Sequence, residues 1–225
     1  MAFRSHFVSA QGLGQSGPWL IADQPTLLVA RKDFPADNLP EFIAYAKTNQ
    51  SSMQMASAGA GSTGHLDCML LNAAIGINVT HVPYRGGGPA MQDLIAGRID
   101  YFCTLSATAK QQIEGKLVKA IAILSRDRSS MLPGLASAQE QGLNFEASTW
   151  FGFFLPRGTP EPIIQKLHDA TVAAMETPSV QERLKEVGAV TVAPERRSPA
   201  YLQKFVASEI EKNATPIRAA GIAID

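Results

Sequence analysis

The chain has little that would mark it as a nucleic-acid-binding or membrane-spanning protein. Its 225 residues carry 20 basic and 20 acidic side chains, which cancel, and neither sign forms a long run. Such a chain offers no electrostatic footprint for nucleic acid or for an anionic membrane. No stretch reaches the roughly 20 apolar residues that a membrane-spanning helix needs. Any anion that this protein recognises must therefore be bound by local groups.

Cysteine is scarce, and the residues typical of catalysis form no pattern. Cys68 and Cys103 are the two cysteines of the chain. They fall in a predicted helix and a predicted strand, where small apolar thiols commonly belong to the core, so we expect free thiols rather than a disulfide. His65 and Cys68, one helical turn apart, are too few ligands for a metal, and no hydrolase elbow occurs. We expect no catalytic residue, no metal and no cofactor.

What the chain does have is a clear alternation of strands and helices. Apolar, partly β-branched runs such as Thr26–Ala30 are typical of strands, and short loops and helical segments follow them. Repeated strand–loop–helix units predict an α/β fold with a parallel sheet covered by helices, because parallel neighbours need a crossover. Beyond about Thr149 the chain becomes mainly helical, with predicted helix starts at Thr159, Thr177 and Ser198, each before a proline.

The first unusual motif is the stretch ASAGAGSTGHL, Ala56 to Leu66. Gly59, Gly61 and Gly64 have the G-x-G-x-x-G spacing of dinucleotide-binding loops. A helix that begins after such a loop presents unpaired N–H groups and the positive end of its dipole, which suit an anion. A dinucleotide site, a small-anion site and a purely structural turn all fit this pattern.

The strand after the glycine motif argues against a dinucleotide. An acidic residue should close that strand to hold the ribose, yet the strand ends in HVPYRG. Arg85 leaves an NADP-dependent oxidoreductase as an alternative. The second loop, PYRGGGPAMQDL, also follows a strand and opens a helix. Two amide-rich loops at the carboxyl ends of neighbouring strands suit a carboxylate better than a pyrophosphate, although these glycines too could simply tighten a turn.

Five segments together resemble a known family. In chain order they are ASAGAGSTGHL, HVPYRGGGPAMQDLIAGRIDYF, EGKLVKAIAI, STWFGFFLPRGTPEPIIQKL and IRAAGI. They are similar in order and spacing to the Bug-type periplasmic solute-binding proteins of tripartite tricarboxylate transporters, over about residues 21–225. The resemblance implies a two-lobed type II periplasmic-binding-protein fold and a receptor that passes a small carboxylate to membrane transporter subunits. Such a receptor catalyses no reaction. The acid could be a di- or tricarboxylate, an acidic amino acid or an aromatic acid.

The same resemblance implies a set of ligand-binding residues. The first loop and the helix start after it supply backbone amides and hydroxyls, the second loop supplies further contacts, and one aromatic residue stands at the crossing between the lobes. These residues are Ala58, Gly59, Gly61, Ser62, Thr63, His65, Tyr84, Arg85, Gly86, Gly87 and Trp150. Arg85 replaces a lysine common in the family, so the geometry of its positive charge differs. We expect Gly64 to ease entry into the helix.

The amino end departs from the family pattern. Residues 1–20 do not resemble it and lack the apolar segment of a signal peptide, although the family is periplasmic. We divide the chain into an atypical segment with the first crossing (1–25), the ligand-binding lobe two (26–148) and the carboxyl-terminal part of lobe one (149–225). On this interpretation lobe one is incomplete. A second copy could then cover its unpaired elements, and a folded remnant without ligand-binding activity is a further alternative.

Overall fold

Strands and helices alternate through residues 19–219, which a computed structural model describes. The strands are β1 (Trp19–Arg31), β2 (Gln54–Ser57), β3 (Thr80–Pro83), β4 (Tyr101–Leu105), β5 (Val118–Ile123), β6 (Ser148–Phe153) and β7 (Val190–Thr191). The helices are α1 (Leu39–Asn49), α2 (Thr63–Ile75), α3 (Gly87–Ile95), α4 (Ser106–Glu114), α5 (Glu161–Met175), α6 (Pro178–Glu186) and α7 (Pro199–Ala219), with a 3-10 turn at Pro194–Arg196. Within this range, no helix is long and apolar enough to cross a membrane.

Five strands form an open, mixed sheet in the order β3-β2-β4-β1-β5. β2 is parallel to β3 and β4, whereas β1 is antiparallel to β4 and β5. The prediction of a purely parallel sheet is therefore wrong for β1. Thr26 pairs with Leu105 at the carboxyl end of β4, and Ala30 pairs with Tyr101 at its start. Because β1 enters the sheet at the edge where its parallel neighbours end, it must run against them.

Helices cover both faces of this sheet, which explains why the centre of β1 is apolar at every position. Leu28 and Ala30 belong to one buried cluster, and Leu27 and Val29 belong to another. Alternate residues of a strand point to opposite faces, so a strand buried on both sides shows no polar alternation. The first cluster includes α1 and α2 residues, and the second includes α3 residues.

Local sequence fixes the ends of the helices next to the site. Ser62 caps α2, where its hydroxyl oxygen accepts from the N–H of His65 at 3.4 Å. Gly76 ends the same helix in a left-handed conformation with φ 73°, which costs glycine nothing. In α1, Asn38 accepts from the N–H of Glu41 at 2.9 Å. These caps satisfy amides and carbonyls that a helix leaves without partners.

Cys68 and Cys103 form a disulfide that joins α2 to β4, with their Cα atoms 5.5 Å apart. Our expectation of two free thiols is wrong. Both residues are fully buried, as expected, but α2 packs directly over β4 and brings the two sulfur atoms together. The chain separates them by 35 residues, so neither local pattern nor composition could show this approach.

The described chain divides into two compact units. One contains Gln24–Thr149 together with Leu184–Ala189, and the other contains Trp150–Arg183 with the segments up to Asp23 and from Val190. The short segment Leu184–Ala189 packs on the start of α4: a Cβ on Gly188 would lie 2.9 Å from the Cβ of Ser106. Gln24 also donates its side-chain amide to the carbonyl of Val187 at 2.6 Å.

The unit with the carboxyl-terminal helices is built around the start of β1, which pairs with β6 and β7. Trp19 is buried there against Phe153 and His168, with ring centroids 5.6 and 5.4 Å apart. One predicted cap is wrong: the N-cap of α5 is Pro160, and the hydroxyl of Thr159 donates to the carbonyl of Pro156 at 2.7 Å. Thr159 precedes the cap by one residue and closes the turn before the helix.

Candidate anion-binding site

The site lies where β2 and β3 end side by side. Ser57 and Pro83, the last residues of these strands, are paired in parallel register. The N–H of Tyr84 donates to the carbonyl of Ser57 at 3.0 Å, so the loops that follow the two strands start in contact. Each loop leads into a helix, α2 or α3. The structure therefore brings together the two amide-rich loops that the sequence singles out.

The first loop, residues 58–62, is held by a small internal network. Gly59 and Gly61 have φ values of 138° and 74°, which residues with a Cβ rarely adopt. The Ser57 hydroxyl donates to the carbonyl of Gly59 at 3.0 Å and accepts from its N–H at 3.1 Å. The N–H of Ser62 also donates to the Gly59 carbonyl, at 3.1 Å. The loop is thus a fixed turn, with Ala58 half-buried at its start.

Three amides proposed as ligand donors already have partners in the loop, in β2 or in α2. The N–H groups of Gly59 and Ser62 bond as described above, and that of Gly61 donates to Nδ1 of His65 at 3.0 Å. The N–H groups of Thr63 and Gly64, the first two residues of α2, have no hydrogen-bond acceptor within residues 19–219. The donors without a partner are therefore the N–H groups of Thr63 and Gly64, together with the exposed Thr63 hydroxyl.

Gly64 has a stricter role than the expected easing of the helix start. A Cβ built on it would lie 2.2 Å from the carbonyl oxygen of Cys103. The first turn of α2 thus packs directly on the backbone of β4, and only glycine fits. This contact sets the distance between the helix start and the sheet.

The second loop, residues 84–86, leaves its helix start uncapped by a side chain. The N-cap of α3 is Gly86, with φ 122°, and no side chain bonds to the first turn. Gly87 and Gly88 are the first two helical residues, and their N–H groups have no partner within the described residues. Arg85 is exposed on this loop and forms no ion pair there. These groups give the second loop a positive, donor-rich end.

The side chain of Tyr84 contacts α3, the helix that follows its loop. Its hydroxyl donates to Asp93 at 2.8 Å, and Arg98 binds the other carboxylate oxygen of Asp93 at 2.8 Å. Burial, followed by the bond to Asp93, raises the pKa of Tyr84 to about 12. The same hydrogen bonds hold the pKa of the Asp93 carboxyl below its usual range. Asp93 was not among the predicted residues, because its bond to Tyr84 depends on how α3 folds back from its loop.

Two histidines stack behind the first loop. The rings of His65 and His81 are 3.7 Å apart between centroids and inclined by 14°. Nε2 of His81 lies 2.7 Å from the Ser57 hydroxyl. Burial, and secondarily the charge of His81, lowers the pKa of His65 to about 4, and burial lowers that of His81. His81 and Ser57 were also not among the predicted residues. Their contacts depend on how α2 packs beside β2 and β3, which the sequence pattern does not show.

The remaining predicted residue, Trp150, lies in the unit that contains the carboxyl-terminal helices. It is half-buried, and its ring contacts Phe205 of α7 and Phe154, with centroids 5.5 and 6.2 Å away. Residues 19–219 contain no cluster of three or more histidine, cysteine or acidic side chains that could hold a metal ion.

Residues 16–222 match the model of the family described as tripartite tricarboxylate transporter family receptor. The chain belongs to this family. A UPF0065 protein of Agrobacterium vitis is 37% identical over 203 residues, which cover 90% of this chain and 59% of the relative. The chain therefore spans about three fifths of that relative's length.

Two solved structures from Rhodopseudomonas palustris have the same fold. MatC with bound malate is 35% identical, has a TM-score of 0.81, and matches 95% of this chain and 73% of its own. A protein solved with adipate is 29% identical, also with a TM-score of 0.81, and matches 93% of this chain and 70% of its own. The expected periplasmic-binding-protein fold is confirmed. The family is one of receptors and not of enzymes, so the comparisons give no support to the oxidoreductase alternative.

Proposed function

We propose that this chain binds a small di- or tricarboxylate as part of a periplasmic receptor, which delivers the acid to tripartite tricarboxylate transporter subunits in the membrane. One observation carries the proposal: α2 and α3 begin side by side, and the N–H groups of the first two residues of each helix have no protein partner within residues 19–219. Helix N-termini attract anions through these donors and the helix dipole. The malate and adipate in the two related structures support dicarboxylates as the ligand class.

In this proposal the two helix starts share the carboxylate oxygens. Thr63 and Gly64 donate from α2, and Gly87 and Gly88 donate from α3, while Arg85 adds positive charge beside them. Backbone donors suit a carboxylate because their geometry is fixed before the ligand arrives, so little ordering entropy is lost on binding.

The other predicted residues have supporting roles. Ala58, Gly59, Gly61 and Ser62 shape the first loop from behind. We retain Trp150 as a predicted residue of the chain crossing; it is half-buried and packs with Phe205 and Phe154 in its own unit.

Calorimetry tests the ligand class. The chain should be titrated at neutral pH with malate, adipate, citrate, glutamate and benzoate, each with a matched neutral amide as control. We expect heat from at least one di- or tricarboxylate and none from the amides. Silence from every acid would overturn the proposal and favour a folded remnant that does not bind.

A pair of variants tests the role of the backbone donors. Gly88→Pro removes one N–H in the first turn, where proline is tolerated, while Gly88→Ala keeps it, and no atom lies within 4 Å of the added Cβ. A hydrogen bond to a charged group contributes about 1.5–3 kcal/mol, so we expect Gly88→Pro to weaken binding roughly 10- to 100-fold. Gly88→Ala should bind as the wild type does. Equal affinities for both variants would show that this amide does not contact the ligand.

A further inference from the structure

The stacked His65 and His81, here called the histidine pair, hold both glycines of the first loop. The N–H of Gly61 donates to Nδ1 of His65 at 3.0 Å. Nε2 of His81 is 2.7 Å from the hydroxyl of Ser57, which in turn bonds to the N–H and the carbonyl of Gly59. Each ring therefore acts on one glycine of the loop, His65 directly and His81 through Ser57.

These contacts fix where the imidazole protons are. Nδ1 of His65 accepts a hydrogen bond, so it carries no proton, and the neutral ring must be protonated on Nε2. Ser57 has one hydroxyl proton, and it donates this proton to the carbonyl of Gly59. Nε2 of His81 must then be the donor to the serine oxygen. His65 is thus neutral, and both rings carry a proton on Nε2.

We propose that His65 and His81 are positioning residues, which hold the first glycine loop and the start of α2 in the shape that binds an anion, and that they do so as neutral imidazoles. A proton on Nδ1 of His65 would replace the acceptor with a donor that faces the N–H of Gly61, and the bond would be lost. Because this inference concerns how the loop is shaped for a ligand, its binding test rests on the proposed function.

The surroundings keep the pair neutral. His65 is only 4% exposed, and the rings are too close for two charges, which agrees with the lowered pKa of both. The nearest acidic residue along α2 is Asp67, which accepts a hydrogen bond from the Thr26 hydroxyl at 2.5 Å. On the adjoining loop the charged group is Arg85, which is exposed.

Nitrogen NMR tests the proton positions without any ligand. Long-range ¹H–¹⁵N spectra of the wild-type chain at pH 7 should show an unprotonated Nδ1 and a protonated Nε2 for His65, and the same tautomer for His81. The amide of Gly61 should exchange slowly and shift only when His65 titrates, well below pH 6.5. A proton on Nδ1 of His65, or titration of that ring near 6.5, would overturn the inference.

Two substitutions of His65 test the effect on binding, with malate as the probe at pH 7. In His65→Asn the side-chain oxygen can occupy the place of Nδ1 and accept from Gly61, whereas His65→Phe preserves the stacked ring without an acceptor. We expect His65→Asn to bind within about 3-fold of the wild type and His65→Phe at least 10-fold more weakly. Equal binding by the wild type and His65→Phe would contradict the positioning role.

The proposed function and the positioning role of His65 can be refuted independently. If the wild type binds neither malate nor any other acid, the proposed function fails, and exchange of the Gly61 amide in His65→Phe decides the positioning role alone. That amide should exchange at least 10-fold faster in His65→Phe than in His65→Asn. Equal exchange in the two variants would show that His65 does not hold the loop.

Discussion

Replacing Gly64 by alanine should destabilise the protein, although alanine is the better helix former. The new Cβ would lie 2.2 Å from the carbonyl oxygen of Cys103, while ordinary contacts of this kind begin near 3.4 Å. Helix and strand must therefore move apart by about 1 Å. Neither yields readily: Cys103 is on β4, which pairs with a neighbour on each side, and the disulfide from Cys68 holds α2 to that same residue.

The expected magnitude combines two opposing effects. Overpacking of this kind costs about 1–3 kcal/mol and occasionally more, and we take the upper end because backbone meets the new methyl group. The gain in helix propensity returns roughly 0.5–1 kcal/mol. We expect Gly64→Ala to lower the free energy of unfolding by about 2 kcal/mol or more. For a chain of this size that corresponds to a fall in Tm of about 4–8 °C.

Urea unfolding followed by circular dichroism measures the effect. Gly134→Ala is the matched control, because Gly134 has no atom within 4 Å of an added Cβ and its φ is not positive. It should leave stability within about 0.5 kcal/mol of the wild type or raise it slightly. Repeating Gly64→Ala without the disulfide, in a Cys68→Ser, Cys103→Ser background, should reduce the penalty, since α2 can then shift. A Gly64→Ala protein as stable as the wild type would refute the reasoning.

Three further predictions concern pH, the disulfide and association. The pKa of His65 falls from 6.5 to about 4 on folding, so the stability of the folded protein is complete above pH 6.5 and decreases as the pH falls toward 4, by at most about 3 kcal/mol. The free energy of unfolding of His65→Asn should therefore depend less on pH between 7 and 4 than that of the wild type. Reducing the Cys68–Cys103 bond, which spans 35 residues, should lower the free energy of unfolding by about 2–4 kcal/mol, and unchanged urea midpoints with and without reductant would contradict this. Phe151 and Phe153 are 41% and 47% exposed on β6, so we expect self-association that increases with protein concentration. Light scattering that gives a monomer mass at both low and high concentration would contradict this.

The sequence predicted the elements near the site well, because each is marked by local signals. The apolar centre of β1 and the helices after the two glycine loops lie close to where the pattern places them. Two loops that follow parallel neighbours must meet at one edge, so the position of the site also followed from the order of elements. Thr159 shows the limit of this approach, since α5 begins one residue later than the capping pattern places it.

Contacts between distant elements were not predictable in this way. The disulfide, the antiparallel entry of β1 and the stacked histidines each depend on which helix covers which strand. His65 and His81 lie on a helix and a strand, and nothing in their spacing distinguishes a stacked pair from two unrelated side chains. The same holds for the Tyr84–Asp93 bond, which depends on how α3 folds back from its loop.

The glycine motif shows why one spacing can serve two kinds of site. In dinucleotide-binding loops the first glycine permits a tight turn, the second lets a pyrophosphate approach the backbone, and the third allows close packing of helix on strand. Here Gly59 makes the turn and Gly64 packs on β4, but the N–H of Gly61 is held by His65. The shared spacing therefore follows from joining a strand to a tightly packed helix. The feature that argues against a dinucleotide lies after β3. This strand ends in Pro83 and leads into Arg85, where a dinucleotide site would need an acidic residue.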